Sequence, residues 1–251
     1  MPRFFVEIPA LRAEDEIDLP AAAARHVQVL RAQPGDTLHL FNGTGGDWQA
    51  KVLAMTRTGV TVRIGRQESE ASGAELLKPI TIATCMPTND RMDGLVEKAT
   101  ELGATTIRPL MSERSVLRLQ GDRASKRVAH WQDVAVSASE QSGRPRVPHV
   151  EAVQELRRWL LSLAPTSTGN QVAGRLLLSL REGPLLWELP RQVQDADHVV
   201  VLSGPEGGLS TEEEAEARRH GFVPVRLGSR VLRADTAPLA ALAMLGTWLS
   251  R

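Results

Sequence analysis

The sequence predicts a two-domain protein, a small N-terminal β-barrel over residues 1–70 and a larger α/β domain on a mostly parallel sheet over residues 75–251. Three observations carry this. Short runs of β formers, separated by glycine turns, fill the first 66 residues. A polar, small and acidic stretch, "QESEASGAELLK" at 67–78, then reads as a linker. Beyond it a strand, a helix and a strand follow within about 30 residues, which is a βαβ unit with parallel strands and a right-handed crossover.

The elements follow in order. "LPAAAARHVQVLRAQPGD" is one short helix stopped by Pro34 and Gly35, and "DTLHLFNG", "DWQAKVLAMT" and "GVTVRIG" are strands of a meander or small barrel. After the linker come strand 80–86, helix 91–103 and strand 105–110. In that helix Met92, Leu95, Val96, Ala99 and Leu102 recur at helical spacing. A helix near 124–141 carries Val128, Trp131, Ala135 and Ala138 on one face, and another spans roughly 151–163. Strands 175–180, 198–202 and 222–227 each lead into a loop or helix, which completes an α/β pattern. Residues 164–174 read as a mobile loop.

Composition narrows the class. Of 251 residues, 30 are Lys or Arg and 30 are Asp or Glu, so net charge announces no nucleic acid. The distribution says more: from Arg108 to Arg127 there are six basic residues against two acidic ones, and Arg144 and Arg146 follow in a glycine-proline loop. A local basic surface is a phosphate footprint, although a solvated face with no partner has the same charge. The lone Cys85 forms no internal disulfide, and the six histidines show no metal-ligand spacing, which points to a reducing, cytoplasmic setting without metal. No apolar run approaches the ~20 residues that span a bilayer, so no membrane is expected.

Ligands of parallel α/β sheets bind beyond the carboxyl ends of the strands. One such loop is "SGPEGGLSTEEE". Ser210 with Glu213 has capping-box spacing, and Glu212 to Glu214 suit the positive end of a helix. Gly204, Gly207 and Gly208 free the backbone to turn or to approach a ligand, as they would in any tight turn. Neither the dinucleotide fingerprint nor the P-loop is present, and Glu206 would repel a phosphate. A neutral or cationic ligand fits better, and S-adenosylmethionine, a sulfonium without phosphate, is one. The second loop, "LGSRVLRADTAPLAAL", presents Arg230 and Arg233 around Val231 and Leu232, and Asp235 or Thr236 then caps a helix with Pro238 in its first turn.

"GPEGGLS" at 204–210 followed by "LGSRVLRADTA" at 227–237 resembles the signature of the bacterial 16S ribosomal RNA uracil-N3 methyltransferases, the ribosomal RNA small subunit methyltransferase E family of the SPOUT class. Similar stretches are "HVQVLRAQPGD" (26–36), "DRMDGLVEKATELG" (90–103), "SERS" (112–115) and "EQSGRPRVP" (140–148). The resemblance covers nearly the whole chain. It implies an N-terminal PUA-like barrel that helps bind RNA, a trefoil-knotted domain that binds S-adenosylmethionine, and a homodimer acting on 16S rRNA of the small ribosomal subunit. Two departures stand out. "MPTNDR" lacks the family's lysine and glycine near Thr88 and Asn89, and "RADTAP" replaces the commoner "RTETA".

By that resemblance Leu180, Gly204, Glu206, Gly207, Gly208, Leu227, Gly228, Val231 and Leu232 form the cofactor pocket. Methyl transfer to uracil N3 needs an aligned acceptor and removal of the N3 proton. Arg91, Arg144 and Arg233 are candidates for stabilising the anionic ring, and Glu140 for the base, although a helix-end hydrogen bond between Glu140 and Arg144 or backbone is the stronger reading. Arg3, Arg25, Arg31, Arg114, Arg144 and Arg230 are candidate RNA contacts. Phe4, Phe5, Phe41 and Trp48 are the candidates for base stacking, with most of them expected in the core. Two rival readings remain at this point: a nucleotide-dependent oxidoreductase, and an RNA-binding assembly factor that has lost methyl transfer.

Overall fold

The computed structural model describes residues 3–68, 74–88, 90–164, 167–168, 171–188 and 191–249. Asn89, five residues of the linker (69–73) and four of the 164–174 loop (165, 166, 169 and 170) lie outside the described residues. The chain forms two compact units, Met1–Glu75 with Val136–Val147, and Leu76–Ala135 with Pro148–Arg251.

The first unit holds β1 (Arg3–Phe5), β2 (Glu16–Asp18), α1 (Ala21–Val29), β3 (Thr37–Phe41), β4 (Asp47–Met55) and β5 (Val60–Glu68). Their order is β1-β3-β4-β5-β2, with β1 parallel to β3 and the other pairs antiparallel. Among the described residues no pair joins β1 to β2, so the pairing describes a five-stranded sheet. Alternate residues Val52, Val60, Val62 and Ile64 bury one face of the sheet against Ala23, Ala24 and Val27 of α1. Each such aliphatic side chain contributes roughly 1.5–3 kcal/mol on burial. Phe4 and Phe41 are fully buried core residues, which removes them from the stacking candidates.

The second unit holds β6 (Ile80–Cys85), α2 (Asp90–Glu101), β7 (Thr106–Met111), α3 (Gly121–Ser142), β8 (His149–Val150), β9 (Gln154–Glu155) and α4 (Leu156–Ser162). It continues with β10 (Ser167–Thr168), β11 (Gln171–Leu178), α5 (Arg191–Gln194), β12 (His198–Ser203), α6 (Thr211–Arg219), β13 (Val223–Val225) and α7 (Thr236–Leu249). The last residues of α3, Val136 onward, cluster with the first unit. The sheet order is β10-β11-β12-β6-β7-β8, with β13 also on β11 and β9 also on β7, and every pair but β10–β11 is parallel. One rung runs Leu177, Leu202, Ala83, Arg108.

Both faces of this sheet are covered, which is why β6 and β12 read as apolar runs. Strand β11 instead starts inside the stretch expected as a loop, because Gln171 and Val172 pair with β10 and Ala173 and Gly174 with β12. Ala83, Cys85, Val200 and Leu202 pack against Leu156, Trp159 and Leu160 of α4 and Ala217 of α6. On the other side α7 lies against β6, β12 and α2. The helix expected over 151–163 begins only at Leu156, because Gln154 and Glu155 pair with Leu110 and Met111 of β7. Burial pushes the Cys85 thiol up to about 12, with a bond to Ser112 opposing that rise and the Glu213 charge adding to it. The thiol is inert in the fold.

A buried cation closes the amino-terminal side of the sheet. Arg175 of β11 donates to the carbonyls of His220 (2.7 Å) and Ala164 (2.5 Å), so it meets the negative end of α6. Burial, and then the Arg175 charge, hold the neighbouring His198 ring below its usual pKa, with its Nε2 2.8 Å from the Thr81 hydroxyl.

Candidate functional site

Beyond the carboxyl ends of β11, β12 and β13 lies a cavity of about 780 Å³. That size suits a small-molecule ligand. Its walls are the three loops that leave these strands: residues 178–182, residues 203–209 with Thr211, and residues 227–234.

Local physics explains why each loop holds its shape. The Ser210 side chain accepts the Glu213 N–H (3.3 Å), and the Glu213 carboxylate accepts the Ser210 N–H (2.9 Å), so α6 starts with the expected capping box. The other oxygen of Glu213 accepts the backbone N–H of Glu113 (2.7 Å), which ties the "SERS" turn after β7 to the same helix start. Arg114 of that turn donates to the carbonyls of Gly207 (3.2 Å) and Leu209 (3.4 Å). After β11, the Ser179 hydroxyl accepts the N–H groups of Arg181 and Glu182 (both 3.2 Å), and Arg226 donates to the carbonyl of Gly183 (2.8 Å).

Glu206 is not an idle acid in a glycine turn. Its Oε1 accepts the backbone N–H (3.0 Å) and the hydroxyl (3.2 Å) of Thr88, which joins the loop after β12 to the loop after β6. Burial pushes its carboxyl up, but the Thr88 and backbone hydrogen bonds and the charge of Arg91 outweigh burial and hold it below the ordinary value of 4.5. A carboxylate with a depressed pKa stabilises the fold fully above its unfolded value, and that contribution is lost as pH falls through the folded value. The Thr88 amide is therefore expected to stay protected from hydrogen exchange below pH 4.5 and to open only once Glu206 protonates. Protection that vanished above that pH would contradict this tie.

All nine residues expected in the cofactor pocket, namely Leu180, Gly204, Glu206, Gly207, Gly208, Leu227, Gly228, Val231 and Leu232, line this cavity. Leu180 and Val231 are 66% and 77% exposed there, so large apolar side chains stand uncovered on its wall. Arg91, Arg114, Arg230 and Arg233 line it as well. With Arg181 they make five arginines against Glu182, Glu206 and Glu214, a net positive rim suited to a polyanion. Arg181 and Ser179 escaped the reading of the sequence. The only signal for them was their place at the end of a strand, beside Leu180.

Other residues lie elsewhere. Glu140 is in the first unit, where its carboxylate accepts the Phe5 N–H (2.8 Å) and stands 3.5 Å from His26, which is the helix-end role that competed with catalysis. Arg144 is 2% exposed and paired with Glu75 at 2.7 Å, so as an RNA contact or ring stabiliser it is corrected to a buried structural cation. Arg3 donates to both oxygens of Asp47 (2.6 and 2.8 Å) and lies over the Phe41 ring, which likewise makes it structural. Arg25 and Arg31 are exposed on the first unit. Among the described residues no three His, Cys, Asp or Glu side chains gather as a metal site, and no helix is long and apolar enough to cross a membrane.

Residues 74–246 match the family model described as RNA methyltransferase domain, and residues 19–65 match that of the RNA methyltransferase PUA domain, so the class is that of the RNA methyltransferases. The chain is 32% identical over 97% of its length to the ribosomal RNA small subunit methyltransferase E of Synechocystis sp. PCC 6803, covering 77% of that protein. It is 27% identical to the Bacillus subtilis protein of the same name, over 98% of this chain and 96% of that one. The crystal structure of that enzyme from Neisseria gonorrhoeae, solved with S-adenosyl methionine bound, superposes with a TM-score of 0.89 at 34% identity, covering 99% of this chain and 98% of that one. A Legionella pneumophila methyltransferase solved with the same cofactor gives a TM-score of 0.87 at 29% identity, over 98% and 97% of the two chains. The chain belongs to the ribosomal RNA small subunit methyltransferase E family.

Proposed function

We propose that this protein binds S-adenosylmethionine in the cavity at the carboxyl edge of its sheet and methylates N3 of a uridine in 16S rRNA of the small ribosomal subunit. The carrying observation is that one cavity gathers all nine residues of the pocket and four arginines from the resembling motifs. The donor set fits the cofactor: glycine loops leave backbone groups open, the acid at its wall is ionised, and no phosphate-binding fingerprint competes. Bound there, S-adenosylmethionine supplies an electrophilic methyl group on a sulfonium.

The chain's own residues do the rest. The loops 203–211 and 227–234 hold and orient the donor, and the exposed apolar Leu180 and Val231 cover it from water. Arg233 and Arg91 set positive charge where the uracil ring becomes anionic as N3 passes its proton to solvent. Arg114 and Arg230 at the rim are read as contacts for rRNA phosphates, along with Arg25 and Arg31 of the first unit. On the same family resemblance, the domains divide at 1–70 and 75–251, the first is a PUA-like barrel, the second carries a trefoil knot, and the protein acts as a cytoplasmic homodimer.

Small subunits lacking the modification, incubated with the protein and methyl-labelled S-adenosylmethionine, should yield label in 3-methyluridine after digestion to nucleosides. Label in another nucleoside overturns the N3 assignment. Cofactor binding by calorimetry with no transfer at all returns the protein to the assembly-factor reading.

A further inference from the structure

Asp235 precedes α7 but does not cap it. A cap side chain accepts from the second or third N–H of its helix. Here the N–H groups of Thr236 and Ala237 both go to the carbonyl of Arg233 (3.0 Å each), and the next residue, Pro238, has no N–H to give. The Asp235 carboxylate is therefore left over. Its Oδ1 is shielded from solvent and has no hydrogen-bond partner among the described residues, which is costly for a charged oxygen. The cation that faces it is Arg91, whose Nη1 is 3.7 Å away, within ion-pair reach but beyond a hydrogen bond. Arg91 in turn lines the cavity and stands close enough to Glu206 to lower its pKa.

We propose that Asp235 is a positioning residue for methyl transfer: it anchors the Arg91 guanidinium from behind and so aims it at the acceptor base. Resting on the function proposed above, this assigns a task to the acid of "RADTA", which a structural cap does not need. Arg91 is paired with Asp235 at 3.7 Å, and its charge is felt by Glu206 on the cavity wall. Closing the 3.7 Å gap by under ~1 Å would give the charge-assisted bond that Oδ1 lacks. Without that anchor, the cation has no ion pair among the described residues, and its long side chain is free to leave the line of approach.

The test uses the full chain with unmodified small subunits. Asp235→Asn is expected to bind S-adenosylmethionine within about twofold of wild type, to keep its melting temperature, and to lose at least tenfold in the single-turnover rate at saturating RNA. Asp235→Glu should recover most of that rate. In an Arg91→Ala background, Asp235→Asn should cost nothing more, because a residue acting through another is not additive with it. A wild-type rate in Asp235→Asn, an additive loss in the double variant, or a lowered melting temperature with unchanged kinetics overturns the inference. An inactive wild type would instead strike the function on which it rests.

Discussion

Arg233→Ala is expected to bind S-adenosylmethionine with wild-type affinity and to lose methyl transfer by a factor on the order of 10² to 10³. The structure separates the two roles of this residue. Its backbone carbonyl takes the N–H groups of Thr236 and Ala237 and so starts α7, a task that alanine performs equally well. Its guanidinium stands in the cavity wall with no ion pair or hydrogen bond among the described residues, so truncation strands no buried partner. What is lost is a preorganised positive charge, which matters only when negative charge develops on the acceptor. Single-turnover kinetics on undermethylated small subunits give the answer. A fall in rate at saturating RNA marks transition-state stabilisation, whereas a raised KM at unchanged rate would reassign Arg233 to holding the substrate. Unaltered turnover would remove it from the mechanism.

Gly183→Ala should be the most damaging single methyl group in the second unit. Gly183 has φ +97°, and a Cβ built on it would stand 1.9 Å from the carbonyl oxygen of Pro224. That neighbour is backbone of β13, paired with β11, so it has little freedom to retreat. The left-handed conformation costs roughly 1–2 kcal/mol for a side-chain-bearing residue, and forced overpacking adds about 1–3 kcal/mol. At roughly 2–4 °C per kcal/mol for a chain of this size, a drop in melting temperature near 10 °C is expected. The cofactor site should suffer with it, because Gly183 also accepts Arg226 and lies next to Glu182 of the cavity wall. A variant that melts like wild type and binds the cofactor normally would show that the chain reroutes at this point.

How much of this was legible in the sequence depends on what each residue answers to. Strands β6 and β12 are covered on both faces, so they announce themselves as apolar runs, whereas the first half of β11, with Gln171 and Gly174, reads as loop. The loops after β12 and β13 carry glycines and capping residues whose demands are local. The edge strands β1, β2 and β9 are two or three residues long and are defined by their partners, so no periodicity marks them. Charge is the least legible property. Arg114 and Arg144 look alike as basic residues near glycines, yet one lines the cavity and the other is buried on Glu75. Asp235 reads as a cap by type and position, and only the hydrogen-bond accounts of Thr236, Ala237 and Pro238 show that it caps nothing.

The two oxygens of Glu213 have a consequence for how this protein changes over generations. One completes the capping box of α6 and the other holds Glu113 in the neighbouring turn, whose Arg114 then grips the carbonyls of Gly207 and Leu209. A mutation in either loop is thus expected to be felt by the other, through the Glu213 carboxylate and through the Arg114 guanidinium. Substitutions that change the cavity rim with least disturbance to the fold are expected in the loop after β11 or in the exposed residues beyond Gly228, which lie outside this circuit.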